Sequence, residues 1–228
     1  MTPFSLDREE SHHAVKVLRL KAHDRLQVTD GRGGLFECEI AENSVAAGLE
    51  LLPLEKLSVP DETPHLTLCV GLLKKSAFET LVEQVAQFPV AAIVPVLSDH
   101  TAVKSDTLHS MMSRLRTKAL VSMKQSRRTR LTEILPAQPF LEVLNDTKGD
   151  FRVLFEKCDP LAFPGKFPPM PERITLFIGP EGGFSGEEIQ SAQAQFIPIL
   201  NLGPSRLKAE TAAVAAIASL LARLEKTP

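Results

Sequence analysis

A glycine-rich stretch between two apolar segments holds the residues best suited to binding a ligand. It runs Ile174-Thr-Leu-Phe-Ile-Gly-Pro-Glu-Gly-Gly-Phe-Ser-Gly-Glu-Glu-Ile189. Ile174–Ile178 predicts a short strand buried on both faces, and the glycines within Gly179–Gly183 let the backbone turn and bring its amides close to a ligand. Ser185 and Glu188 have the spacing of a capping box, which predicts that a helix begins there.

The same loop excludes two common nucleotide-binding motifs. No Lys-Ser or Lys-Thr follows the glycines, so the loop is not a phosphate-binding P-loop, and the glycine spacing is not that of the dinucleotide fingerprint. Glu181 would repel a phosphate, and Ser185 already engages the amides at the start of the helix. The loop therefore suits a ligand without phosphates, such as a cation. A tight strand-to-helix turn with no ligand is the alternative.

A second stretch repeats the order of strand, loop and helix. It runs Ile199-Leu-Asn-Leu-Gly-Pro-Ser-Arg-Leu-Lys-Ala-Glu-Thr-Ala-Ala213. Together, G-P-E-G-G-F-S and L-G-x-x-x-L-K-A-E-T-A resemble the SPOUT methyltransferases, and most closely the ribosomal RNA small subunit methyltransferase E family. The second motif of that family is usually L-G-x-x-I-L-R-x-E-T-A, so Arg206 stands here for Ile and Lys208 for Arg.

This resemblance implies a fold, a cofactor and a reaction. The implied fold is a PUA-like β-barrel RNA-binding domain over residues 1–62, then an α/β SPOUT domain over residues 65–228 with a parallel sheet and a deep trefoil knot. The implied cofactor is S-adenosylmethionine, and the implied reaction is methylation of a uridine N3 in 16S ribosomal RNA within an assembled small subunit, by a homodimer. A catalytically silent RNA-binding assembly protein, or a SPOUT enzyme acting on another RNA such as tRNA, is the alternative.

Composition sets the class of protein. The chain has 228 residues, 43% hydrophobic and 24% charged, as expected for a soluble globular protein of one or two domains. No apolar run approaches the length of a membrane span, so we expect no membrane association. Three scattered cysteines, Cys38, Cys69 and Cys158, fit neither a disulfide framework nor a zinc site, which predicts a reducing cytoplasm and no metal. With a net charge of −2, any nucleic-acid surface must be local.

The N-terminal part predicts a small, mostly β domain. Leu6–Leu20 is predicted to be a helix. Strands are predicted at Arg25–Thr29, Leu35–Ile40 and Ala46–Leu52, and Asp30–Gly34 predicts the turn between the first two. The apolar stripe of the predicted helix consists of Ala14, Val15, Leu18 and Leu20.

Within this domain, His12-His13, Val17-Leu18-Arg19 and Asp30-Gly31 resemble the PUA-like domain of the family. Both histidines are therefore candidates for RNA contacts, and the alternative is that one packs and one is solvated. The family usually has a short basic arm before this domain, which Met1-Thr-Pro-Phe4 does not provide. The proline-rich segment from Leu51 to His65 predicts the linker to the next domain.

From Leu66 onward, strands and helices alternate, which predicts a parallel sheet covered by helices on both faces. The predicted strands are Leu66–Leu72, Ala91–Leu97, Arg152–Glu156, Ile174–Ile178 and Ile199–Leu202. The predicted helices are Ala77–Gln87, Thr107–Gln125, Leu141–Asn145, Gly186–Gln195 and Glu210–Glu225. Ligands bind at the carboxyl ends of strands in such sheets, where both glycine loops fall.

The resemblance assigns residues of both loops to the methyl donor. The donor-binding residues are Ile178, Gly179, Pro180, Glu181, Gly182, Gly183, Leu200, Leu202, Gly203, Leu207, Ala209 and Thr211. Glu210 and Glu181 are the acidic candidates, each to act as the base or only to orient the substrate. For Glu210 the alternative is a carboxylate that the helix dipole favours at a helix N-terminus. Lys208 and Arg206 are candidates to stabilise a uridinate anion or hold phosphate, or they are ordinary solvated charges.

A basic segment in the middle of the chain predicts an RNA-binding surface, because it contains no acidic residue. It consists of Arg114, Arg116, Lys118, Lys124, Arg127, Arg128 and Arg130. The N-terminal domain adds Lys16, Arg19, Lys21, Arg25 and Arg32. The alternative is a solvated helix end whose charges have partners on other helices.

Other segments depart from the family. Glu83–Pro89 lacks the usual Lys, Glu and Gly, with Gln84 and Gln87 in place of the two charges. Ser98-Asp-His100 replaces Ser-Glu-Arg, and Lys124 reverses the charge of a usual Glu. The last helix is apolar nearly all round, with Val214, Ile217, Leu221 and Leu224 in one stripe, which favours either a knot core or a dimer interface.

Overall fold

The computed structural model describes residues 2–42, 48–103, 105–156 and 171–224. These fall into two compact units, Met1–Asp61 and Glu62–Pro228. Cys158 lies outside the described residues, while Cys38 and Cys69 are buried free thiols. No helix of the described chain has the length and apolar character needed to cross a membrane.

The first unit is a four-stranded antiparallel sheet with one short helix. Its elements are β1 (Phe4–Ser5), α1 (Arg8–His12) continued by a π-helical turn (His13–Val17), β2 (Arg25–Thr29), β3 (Leu35–Ile40) and β4 (Glu50–Leu57). The strand order is β1-β4-β3-β2. The Asp30 carboxylate accepts hydrogen bonds from the N–H groups of Arg32 and Gly34 at 2.7 and 2.9 Å, so the predicted turn between β2 and β3 is confirmed.

Two predictions for this unit are wrong in extent. The helix does not run from Leu6 to Leu20, because Asp7 caps its start and Arg19 has a φ of 58°, which a right-handed helix cannot accommodate. Leu18 is 56% exposed and is not part of an apolar stripe.

The segment from Leu51 to Leu57 belongs to β4 rather than to the linker. Pro53 is tolerated there because it pairs with Cys38 where the register of β3 shifts.

The second unit is an α/β fold. Its strands are β5 (His65–Gly71), β6 (Val90–Leu97), β7 (Glu133–Ile134), β8 (Gln138–Pro139), β9 (Phe151–Phe155), β10 (Arg173–Ile178) and β11 (Ile199–Leu200). Its helices are α2 (Lys75–Val85), α3 (Ser105–Gln125), α4 (Phe140–Asp146), α5 (Gly186–Ala194) and α6 (Ala209–Leu224). The predicted strands and helices are confirmed to within one or two residues at their ends, while β7 and β8 are too short for a sequence pattern to predict.

The sheet of this unit is parallel, with the order β11-β9-β10-β5-β6-β7 and with β8 also beside β6. One apolar core contains residues of α2, α3 and α6, and a second contains residues of α4 and α5, so helices cover both faces as predicted. The central strand β10 is buried from Ile174 to Ile178. The trefoil knot stays an expectation implied by the family resemblance.

The last helix, α6, buries one face rather than its whole circumference. Ala213, Ala216, Ile217 and Leu220 are buried in the core. Two members of the predicted stripe, Val214 and Leu221, are only half-buried, and Ala218 and Ala222 on the far side are exposed. The centre of the buried face is therefore displaced from the predicted stripe.

Candidate functional site

A cavity of about 460 Å³ lies at the carboxyl ends of three neighbouring strands. Phe155 and Glu156 reach it from β9, Ile178 and Gly179 from β10, and the segment from Asn201 to Ala212 from β11 and α6. Strand ends of a parallel sheet meet at one edge, so the two glycine loops come together there as the sequence predicts. Their convergence makes this cavity the candidate functional site.

The first glycine loop is shaped by close backbone contacts. Gly183 has a φ of 75°, and its N–H donates to the Pro180 carbonyl at 2.9 Å, closing a tight turn. A Cβ on Gly71, at the end of β5, would lie 2.4 Å from the Pro180 nitrogen. Gly71 therefore lets this loop cross over the neighbouring strand end, a role that its position after a buried strand could have suggested.

Most of the residues assigned to the donor by resemblance line the cavity. Those that do are Ile178, Gly179, Pro180, Glu181, Gly183, Leu202, Leu207 and Ala209. Leu200 lines an adjoining cavity of about 420 Å³ instead. Gly182, Gly203 and Thr211 lie outside the lining, and a Cβ on Gly182 would lie 2.8 Å from that of His100. The sequence reasoning missed Ala77, Phe155, Glu156, Asn201, Ser205 and Ala212.

Charged side chains of both signs surround the cavity. The carboxylates are those of Glu156, Glu181 and Glu210, and the cations are those of Arg206 and Lys208. Glu210 also lies in the first turn of α6, so both interpretations of this residue remain compatible with its position. The Arg206 guanidinium donates to the Glu181 carbonyl oxygen at 3.0 Å, which ties the two glycine loops together.

The loop after β6 supports the first glycine loop from outside the cavity. The Asp99 carboxylate accepts from the Ser185 hydroxyl at 2.5 Å, and a ring nitrogen of His100 lies 3.2 Å from the Gly183 carbonyl oxygen. The predicted capping box of Ser185 and Glu188 is confirmed.

The Glu188 carboxyl group has a raised pKa, mainly because it is buried. Hydrogen bonds from the backbone N–H groups of Ser185 and Asp99 lower this pKa, and the negative charge of Asp99 raises it further.

Arg128, predicted to bind RNA, is instead a buried structural residue. It is 9% exposed. Its guanidinium pairs with Glu62 at 2.6 Å and donates to the Ala86 carbonyl and the Thr132 hydroxyl, each at 2.8 Å. An arginine that is engaged in this way cannot reach a phosphate without disrupting the fold, so this assignment is wrong.

Two other members of the basic segment have acidic partners on α2. Arg114 pairs with Glu79 at 3.1 Å, and Lys118 pairs with Glu83 at 2.5 Å. For these residues the alternative interpretation, charges with partners on another helix, is the correct one. Arg116, Lys124 and Arg127 are exposed, and Arg130 is half-buried.

The basic residues and histidines predicted to contact RNA from the first unit all have exposed side chains, so neither histidine packs. They are His12, His13, Lys16, Arg19, Lys21, Arg25 and Arg32.

Comparisons with known families and proteins agree with this architecture. The RNA methyltransferase domain family matches residues 61–221, and the RNA methyltransferase PUA domain family matches residues 6–45. Ribosomal RNA small subunit methyltransferase E of Synechocystis sp. is 29% identical over 227 residues, covering 97% of this chain and 73% of the relative.

Two solved structures are similar over nearly the whole chain. A probable rRNA-methyltransferase from Porphyromonas gingivalis has a TM-score of 0.85 and 28% identity, with 97% of this chain and 93% of that chain covered. A candidate methyltransferase from Legionella pneumophila, solved with bound S-adenosylmethionine, has a TM-score of 0.82 and 25% identity, with 97% and 92% covered. The resemblance inferred from the two glycine motifs is thus confirmed, and the chain belongs to the RNA methyltransferase domain family, with an RNA methyltransferase PUA domain at its N-terminal end.

Proposed function

We propose that the chain uses S-adenosylmethionine to methylate N3 of a uridine in small-subunit ribosomal RNA. The observation that carries this proposal is the cavity formed by the two glycine loops, in a chain of the RNA methyltransferase domain family. The similarity to ribosomal RNA small subunit methyltransferase E supports the choice of RNA. The Legionella structure with its bound cofactor supports the choice of methyl donor.

The residues around the cavity fit this cofactor. Its volume of about 460 Å³ lies within the range of small-molecule sites. Phe155, Ile178, Leu202 and Ala209 provide apolar walls for an adenine ring. Backbone amides and carbonyls of the glycine loops offer hydrogen bonds to its edge. The cavity is lined by three carboxylates and only two cations, so it favours a ligand that carries positive charge and no phosphate.

The proposed mechanism depends mainly on positioning. When bound, S-adenosylmethionine supplies a methyl group on a positively charged sulfur. The glycine loops hold the donor in one orientation, and the Arg206 contact with the Glu181 carbonyl keeps the loops together. A fixed geometry and the exclusion of water lower the barrier for an in-line displacement.

The acceptor also requires proton transfer, because uridine N3 carries a proton that must leave. Glu210 lines the cavity and is the candidate to accept this proton or to orient the base. Lys208, two residues earlier, is the candidate to stabilise the negative charge that develops on the uracil ring. Arg206 is assigned to the loop contact rather than to the anion, because its guanidinium already donates to a carbonyl.

The decisive experiment combines calorimetric titration with S-adenosylmethionine and methylation of small-subunit particles from a strain that lacks the protein. Mass spectrometry of the digested nucleosides should show N3-methyluridine. Glu210→Gln should bind the donor and lose turnover, whereas Glu187→Gln, an exposed carboxylate on α5, should behave like the wild type. Donor binding with a different methylated nucleoside would refute the uridine assignment alone.

The same experiment tests the alternative functions. A chain that binds small subunits but not the donor would be a catalytically silent assembly protein. Methylation of tRNA in place of the subunit would identify another RNA as the substrate.

We further propose a homodimer, because the half-buried Val214 and Leu221 and the exposed Ala218 and Ala222 would allow a second helix to approach α6 closely. Light scattering that gives the mass of a monomer at micromolar concentration would refute the dimer.

A further inference from the structure

Glu156 occupies a position in the cavity that no motif of the sequence indicates. It follows β9, whose last residue, Phe155, pairs with Ile178 of β10 on one side and with Leu200 of β11 on the other. The N–H of Glu156 donates to the Leu200 carbonyl at 3.1 Å. Because these hydrogen bonds fix its backbone between two strands, Glu156 is placed on the floor of the cavity, where the strand ends meet.

The carboxylate of Glu156 is held by the first glycine loop. One of its oxygens accepts the N–H of Phe184 at 3.0 Å. Phe184 is itself buried and packs on Phe140, with ring centroids 4.9 Å apart. A Cβ at Gly183 would lie 3.0 and 3.2 Å from the two carboxylate oxygens, so a side chain there would press on the carboxylate. The charge is therefore fixed in place without help from a ligand.

The surroundings of this carboxylate indicate what kind of cation it suits. Phe155, Ile178 and Leu202 contribute apolar wall to the same cavity. An ammonium group has three N–H donors and needs several acceptors, which such a wall does not supply. A sulfonium has no N–H donor and needs only a nearby negative charge in an apolar setting, where the attraction is stronger than in water.

We propose that Glu156 recognises the positive charge on the sulfur of the methyl donor and so distinguishes S-adenosylmethionine from the product S-adenosylhomocysteine. This inference rests on the proposed function. The positive charge leaves the sulfur when the methyl group is transferred, so the product loses the attraction and is exchanged for fresh donor. An attraction that weakens along the reaction lowers KM for the donor and does not raise kcat.

The test compares both compounds on wild type and Glu156→Gln by calorimetric titration. Gln preserves a carbonyl oxygen for the Phe184 N–H and removes the charge. We expect the affinity for S-adenosylmethionine to fall about tenfold, as for loss of a charged partner, with the affinity for S-adenosylhomocysteine nearly unchanged. In steady-state assays the variant should raise KM for the donor and leave kcat almost unaltered.

Glu187→Gln is the matched control, because Glu187 is an exposed carboxylate on α5 that does not line the cavity. It should change the ratio of the two affinities much less. Equal losses for both compounds in Glu156→Gln would mean that Glu156 only shapes the loop, and would overturn the inference. No binding of either compound to wild type would instead refute the proposed function.

A second measurement covers the case in which Glu156→Gln does not fold, as judged by its thermal melt. The wild-type protein should bind S-adenosylmethionine, which is positively charged at the sulfur, more tightly than S-adenosylhomocysteine, which is neutral at that atom, and raising the salt concentration should reduce this preference. Equal affinities for the two would overturn the inference.

Discussion

At the level of single residues, Arg128 shows how a basic residue within a basic segment can be structural. Its guanidinium contacts Glu62, Ala86, Val90 and Thr132, which joins the start of the unit to the turn before β6. The sequence cannot distinguish this arginine from its neighbours, because all of these partners except Thr132 lie 38 to 66 residues away.

Arg128→Ala should therefore destabilise the protein by about 3 kcal/mol, since it leaves Glu62 and buried carbonyls without their donor. Urea unfolding measures this loss. Arg127→Ala, a change at an exposed neighbour, should alter the free energy of unfolding by less than about 0.5 kcal/mol. Similar values for the two variants would contradict the structural role of Arg128.

Gly183 combines a positive φ with close contact to the Glu156 carboxylate. Gly183→Ala should lower stability by about 1 kcal/mol because of its positive φ. It should also weaken donor binding about tenfold or more by displacing Glu156. Gly186→Ala is the matched control, since a Cβ there meets no atom of the described chain within 4 Å. Calorimetric titration of both variants should show a loss only for Gly183→Ala.

At the level of elements, the start of α5 is coupled to the loop after β6 through Glu188. Its carboxylate accepts N–H donors from Ser185 and Asp99 at 2.8 and 3.1 Å, and it is 5% exposed. Because the pKa of Glu188 is raised in the folded protein, the folded state binds the proton more tightly than the unfolded chain does. This contribution to stability is complete below the unfolded pKa and is lost as pH rises through the folded pKa.

We therefore expect the stability of the wild type, measured relative to Glu188→Gln, to decrease as pH rises from about 4.3, the ordinary pKa of Glu, toward neutrality. Urea unfolding at a series of pH values measures the difference between the two proteins. A difference that grows with pH would mean that the two backbone N–H groups outweigh burial.

The elements were more predictable than the contacts between them. Buried strands such as Ile174–Ile178 and the capping box at Ser185 leave local patterns in the sequence, and these predictions are confirmed. The predicted start of the linker at Leu51 is wrong because Pro53 suggests that the strand ends, whereas a shift in register lets this proline lie within β4. Glu156 was missed because its importance comes from two neighbouring strands that are distant in sequence.

The cavity illustrates the same limit. Both glycine loops could be predicted, because their residues are contiguous and the carboxyl ends of parallel strands meet at one edge. Ala77, on α2, could not be predicted to line the cavity, because its place there depends on how a helix packs across the sheet. The contact between Arg206 and Glu181 likewise joins two loops 25 residues apart.

At the level of the whole molecule, the net charge of −2 means that RNA must be bound by local groups of cations. The ion pairs of Arg114 and Lys118 with α2 reduce the basic segment that the sequence suggests. Exposed Arg116 and Arg127 are the members that we expect to contact phosphate.

Salt dependence separates phosphate contacts from paired charges, because each phosphate that a cation neutralises releases counterions. Arg127→Ala should weaken binding to small-subunit particles and reduce the slope of log affinity against log salt by ~0.7–0.9, measured by filter binding between about 50 and 200 mM salt. Donor affinity should not change. The control replaces the pair Glu83 and Lys118 together by Gln, which preserves the net charge and removes no phosphate contact. If the slope falls in the control and not in Arg127→Ala, RNA contacts the paired face of α3, and the assignment to Arg127 is wrong.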